Sequence, residues 1–78
     1  MSNTSIFILV HLPYIHQSIL VEVPKDCQGK QVLELIRTSY PSKIEVLYLY
    51  DAFNHAILDL SETLQAQGID HGSVLYCI

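Results

Sequence analysis

Two runs of β-forming residues, 6–12 (IFILVHL) and 18–23 (SILVEV), are each stopped by a proline, Pro13 and Pro24. Proline has no backbone N–H to give to a strand ladder, so each run ends there. Residues 13–17 alone separate the runs. That is far too short for the crossover a parallel pair requires, and an antiparallel hairpin is expected. In the second run Ile19, Val21 and Val23 share one face and Leu20 and Glu22 the other, because strand side chains alternate. One side of the hairpin is therefore expected to meet a core.

A sheet with an apolar face needs a cover. Residues 30–39 carry Val32, Leu33 and Ile36, with Tyr40 following, at helical spacing, which predicts a single amphipathic helix. Asp26 is the stronger N-cap candidate and Gln28 the weaker. Gly29 in the first turn disfavours the helix start by up to about 1 kcal/mol relative to alanine, and Pro41 closes the helix by excluding helical geometry at Tyr40. Residues 43–50 then read as a third strand, 51–55 as a turn and 56–58 as a short strand. Residues 61–68 look like one capped helical turn, with Ser61 or Thr63 as cap and Gly68 closing it, before a last strand at 74–78. The expected class is α+β in the order β-β-α-β-β-β, a mixed four- to five-stranded sheet on one helix. The whole chain, 1–78, is one domain, with residues 1–5 expected to be disordered.

Size and charge narrow the function classes. A chain of 78 residues buries only about 60–65% of its unfolded surface, so the core must be compact. Half of the residues are hydrophobic and 15% are charged, which suits a packed globule. A formal charge of −4 repels phosphate backbones and anionic lipid, arguing against nucleic acid or membrane partners. Cys27 and Cys77 are too few for a disulfide framework, so a reducing compartment is expected. No basic leader or membrane-length apolar run appears. Cytoplasm or nucleus is the expected location.

Two segments carry a family resemblance. The stretch VEVPKDCQGKQVLELI, residues 21–36, resembles the strand-to-helix region of ubiquitin-like (β-grasp) domains, with Val21, Val23, Val32 and Ile36 at its apolar positions. The stretch LDLSETLQAQGIDHGSVL, residues 58–75, is similar to the family's L-x-x-x-x-T-L-x-x-x-x-I-x-x-x-S-x-L ending. There the resemblance implies Leu58, Leu64, Ile69 and Leu75 as core anchors, and Thr63 and Ser73 as organisers of turns. It also implies recognition through an apolar patch on the exposed sheet face, at Tyr48, Tyr76 and Ile78, joined by Tyr14 from the hairpin loop. Tyrosine suits such a patch because it gives large contact area at low entropy cost, with a polar tip. The competing reading is that these tyrosines cover a sheet edge or finish the core.

Members that are conjugated end in Gly-Gly, whereas this sequence stops at Ile78 inside the last expected strand. Positions matching ubiquitin's chain-linking lysines hold Leu12, Gln17, Leu33, Leu35, Ser39, Ala56 and His71. Polymer chains through those sites are not expected.

Catalytic and metal chemistry find no pattern. His11, His16, His55 and His71 are not paired at i,i+3 or i,i+4, and none lies beside a cysteine at ligand spacing. Cys27, near a helix start, could be an activated thiol, but no histidine accompanies it and a small structural thiol is the expectation. No catalytic, cofactor-binding or metal-binding residue is assigned, and no cofactor is expected. The reading is a non-catalytic docking or adaptor domain that binds another protein or a sister domain through its sheet face. Alternatives are the N-terminal lobe of a FERM-like multidomain protein, or a modifier with a Gly-Gly tail beyond Ile78. Pairing of a free sheet edge with a second copy is a further expectation.

Overall fold

The computed structural model describes residues 5–39 and 48–78. Strands β1 (Ser5–Leu12) and β2 (Gln17–Pro24) form the expected hairpin, running antiparallel from Ser5 opposite Pro24 to Leu12 opposite Gln17. Ser5 therefore belongs to β1 instead of the N-terminal tail in which it was placed from sequence; residues 1–4 lie outside the described residues. Helix α1 (Gly29–Ser39) follows, then β3 (Leu49–Asp51), β4 (Ala56–Ile57) and β5 (Val74–Cys77). Of the third strand expected at 43–50, residues 43–47 lie outside the described residues.

The sheet has five strands in the order β2-β1-β5-β3-β4. Strand β5 enters beside β1 in parallel and pairs antiparallel with β3 on its other side, so the sheet is mixed. Alternation then decides what lies inside. Ile6, Ile8, Val10 and Leu12 of β1, Val21 and Val23 of β2, Leu49 of β3 and Leu75 and Cys77 of β5 are buried. Val32, Leu33 and Ile36 of α1 close over them, a stripe of the width expected for a helix lying on a sheet. The segment after β4 adds Leu58, Leu64 and Ile69. All eight apolar positions expected to be core from the two family-like segments are buried.

The helix start differs from expectation for a physical reason. Residue Gln28 immediately precedes α1, and its N–H donates to Oε1 of Gln31 at 2.7 Å, one half of a capping box. The cap position thus falls on Gln28 and not on Asp26. The next two N–H groups bond to a distant loop, Gly29 to Glu62 O at 3.3 Å and Lys30 to Leu60 O at 3.0 Å. Donors that a helix end leaves unpaired are met by tertiary contact. That contact explains the glycine, since a Cβ at position 29 would lie 3.2 Å from Cδ2 and 3.3 Å from Cα of Leu60.

The same loop is fastened a second time by Leu64 N–H to Cys27 O at 2.8 Å and Gln65 N–H to Lys25 O at 3.0 Å. Thr63 Oγ1 accepts from Ala66 N–H at 3.1 Å, and Ser73 Oγ from Asp70 N–H at 3.0 Å. Thr63 and Ser73 organise turns as expected. Gly68 ends the single helical turn Gln65–Gln67 in the left-handed region, φ 79°.

Both hairpin turns, residues 13–16 and 52–55, close on a histidine with φ 53°, His16 and His55. Asp51, expected as the first turn residue, is instead the last residue of β3 and is buried. Its carboxylate accepts from Phe53 N–H at 3.0 Å, Asn54 N–H at 3.4 Å and Asn54 Nδ2 at 2.6 Å. A buried carboxylate needs such partners. Here they shape the turn into β4.

Candidate functional site

The residues that alternate with the core emerge on the opposite side of the sheet, where α1 does not reach. Strand register arranges them in rows. One row crosses all five strands: Ser18 of β2, His11 of β1, Tyr76 of β5, Tyr50 of β3 and Ile57 of β4. A second runs Leu20, Leu9, Val74, and Phe7 lies opposite Glu22 in a third. Beyond β3, Tyr48 and Ile78 exchange backbone hydrogen bonds of 3.2 and 3.1 Å, so their side chains stand side by side.

Tyr48, Tyr76 and Ile78 thus fall together, in a block completed by Tyr50. They are 50%, 36% and 41% exposed respectively, so none is finishing the core. Tyr14 is exposed in the β1–β2 turn, at the end of the sheet toward which β1 and β5 both run. Leu20 and Ile57 are exposed on the two edge strands.

Sequence reasoning did not name Phe7, Leu9, Leu20, Tyr50 or Ile57 as parts of this face. The alternation within each strand was visible, but the order β2-β1-β5-β3-β4 that joins the strands into rows was not. Of all residues in the five strands, only Glu22 and Asp51 carry charge. Since Asp51 is buried on the inner side, the outer face of these strands has Glu22 as its one charged side chain.

Polar tips on the face are engaged with each other. His11 Nδ1 bonds to Ser18 Oγ, and its ring lies 4.8 Å from that of Tyr76, tilted by 35°. Tyr50 OH contacts His55 Nδ1 at 3.3 Å. His71 accepts from Phe7 N–H at Nδ1, 3.2 Å, and meets the Phe7 ring edge-on at 5.8 Å. The His11–Tyr76 pair joins two strands, and cross-strand pairs of this kind contribute roughly 0.2–1 kcal/mol each.

The thiols have no counterpart of this. Burial, with the Asp26 carboxylate adding to it, raises the Cys27 thiol above its ordinary value, against a smaller pull from a backbone hydrogen bond. Burial pushes Cys77 up to about 11. Both are free and buried, and both are held as neutral thiols at neutral pH. Ser61 donates its hydroxyl at 2.7 Å and its N–H at 3.0 Å to Asp59 Oδ1, holding that carboxyl below its usual range. Among the described residues no three His, Cys, Asp or Glu side chains gather as metal ligands would. No helix among them is long and apolar enough to cross a membrane.

No protein-family model matches the sequence, and no curated protein matches it. Solved structures do match the fold. A de novo designed protein based on ubiquitin is 20% identical with a TM-score of 0.79, over 95% of this chain and 87% of that one. The solution structure of the ubiquitin-like domain of an Arabidopsis thaliana protein is 21% identical with a TM-score of 0.80, over 95% of this chain and 76% of that one. The chain has a ubiquitin-like fold.

Proposed function

We propose that this ubiquitin-like domain is a non-catalytic docking or adaptor module whose outer sheet face, centred on Tyr48, Tyr76 and Ile78 with Tyr14 at its rim, is occupied by another protein. Fold alone assigns no such role. The supporting observation is the row Ser18, His11, Tyr76, Tyr50, Ile57, which crosses the full width of the sheet without a formal charge. Water solvates such a surface poorly. Aromatic residues supported by neighbours, along a row free of lysine and glutamate, have the composition of interface centres.

A sister domain in a longer chain would use the same surface, and the exposure of Leu20 and Ile57 at opposite edges suits so broad a cover. The test is affinity capture with the wild type and with Tyr48→Ala/Tyr76→Ala. The variant is expected to lose the captured partner while its circular dichroism spectrum stays native. Undiminished capture would move the site elsewhere on the domain.

A further inference from the structure

Three of the four histidines stand on or beside the outer face, each against one of its aromatic residues. The ring of half-buried His11 lies 4.8 Å from that of Tyr76, and its Nδ1 bonds to Ser18 Oγ. His55, exposed in the β3–β4 turn, meets Tyr50 OH through Nδ1 at 3.3 Å. His71, exposed ahead of β5, meets the Phe7 ring edge-on and bonds to the Phe7 backbone. His16, the fourth, is exposed in the β1–β2 turn.

The His71 contact fixes a protonation state. A backbone N–H can only donate, so His71 Nδ1 accepts from Phe7 and carries no proton. A protonated ring has an N–H at both nitrogens, which turns this bond into two opposed donors. At His11 the charge would gather against the ring of Tyr76, since aromatic faces attract cations, and would be buried by whatever covers Tyr76. Few charged groups face these rings. Glu22 lies opposite Phe7, Asp70 accepts from the N–H of His71, and the Asp51 carboxylate is buried on the inner side, bonded within the His55 turn. Tyr48, Tyr50 and Tyr76, with Tyr14 at the rim, are the other titratable groups, and the five strands hold no lysine or arginine.

We propose that docking on the outer face is gated by protons: the face takes an apolar, uncharged surface while His11, His55 and His71 are neutral, and releases it as they protonate over the range from about pH 7.5 to about 5.5. The inference rests on the docking reading of that face. Its sign follows from desolvation. A partner that covers the histidines removes them from water, which disfavours the imidazolium form. The complex then binds fewer protons than the free domain, so by linkage affinity falls as pH falls. Each histidine that must be neutral in the complex lowers affinity by up to about tenfold over that interval, since an imidazole ordinarily titrates at about 6.5.

The experiment titrates the 15N-labelled chain with N-acetyltryptophanamide, an uncharged aromatic probe, at about pH 7.5 and about pH 5.5, and reads the amide shifts that the probe induces. At the higher pH the wild type is expected to show them at His11, Tyr50, Ile57 and Tyr76, which share one row. At the lower pH its apparent Kd should rise about three- to tenfold. His11→Asn/His55→Asn/His71→Asn should bind the probe equally at both, because asparagine offers a carboxamide in place of Nδ1, tolerates the φ of 53° at position 55 and takes no charge. His71→Asn alone should reduce the pH effect, so the test does not depend on the triple variant folding. Without probe, the Phe7 amide should titrate over the same range in the wild type and not in His71→Asn. Equal probe affinity at both pH values in the wild type, or an unchanged pH effect in the folded histidine variants, overturns the gating and leaves the docking reading standing. Absence of probe shifts on the outer face at either pH overturns both.

Discussion

The two faces of the one sheet are built from the same strands, residue by residue in alternation, yet they have opposite fates. Leu75 and Cys77 are buried under α1, while Tyr76 between them looks out with Tyr50 and His11. The inner face is mostly branched aliphatic residues and thiol, which pack without polar atoms to satisfy, with the hydrogen-bonded carboxylate of Asp51 as the exception. The outer face mixes aliphatic residues such as Leu20 and Ile57 with tyrosine and histidine, side chains that tolerate water at one end and an apolar partner at the other. Hydrophobic content therefore does not separate core from surface in this chain. The aromatic rings do mark a difference: Phe7, Tyr48, Tyr50 and Tyr76 all stand outside the core, on the face proposed for docking.

The largest effect that tests this contrast is Leu75→Ala. It should cost about 2–5 kcal/mol, comparable to the roughly 3–5 kcal/mol that a single small core supplies. Urea denaturation should show a chain already partly unfolded in buffer. Tyr76→Ala, one residue along, should cost about 1 kcal/mol or less in the same measurement, since it loses only cross-strand contacts. A cost for Tyr76→Ala equal to that for Leu75→Ala would break the comparison.

Cys77 gives a pH version. Its thiol stays protonated in the fold up to about 11, whereas the unfolded thiol ionises in its ordinary range near 8.5. The folded form thus holds on to a proton that the unfolded form releases. Stability should be unaffected below the unfolded value and fall as pH rises from there toward 11. Cys77→Ala should make that alkaline slope shallower in thermal melts, leaving the share of the Cys27 thiol, which burial also raises.

The smallest effect lies outside both faces. His16 holds φ 53°, a region where a side chain is strained, so His16→Gly should stabilise by up to about 1 kcal/mol. A melting temperature that falls would show that the histidine side chain contributes more than its backbone costs.

Much of the inner face could be read from the sequence. Proline stops and alternation identified β1 and β2, and helical spacing identified Val32, Leu33 and Ile36, because these signals are local. What escaped depends on contacts between distant segments. Gly29 reads locally as a weak helix start, but the close approach of Leu60 requires it, and Asp51 reads locally as a turn residue, but its carboxylate is buried and bonded to Asn54. For the outer face the family resemblance implies Tyr48, Tyr76 and Ile78, and the structure brings them together with Tyr50. Leu20 and Ile57 remained unassigned because an edge position follows from strand order, which no single segment encodes.

The most direct test of the outer face as a docking surface is amide shift mapping of the 15N-labelled domain with the partner obtained by capture. The account predicts that the perturbed amides cluster at residues 7, 9, 11, 48, 50, 76 and 78. Perturbations gathered instead on residues 58–68, with that cluster unmoved, would contradict it.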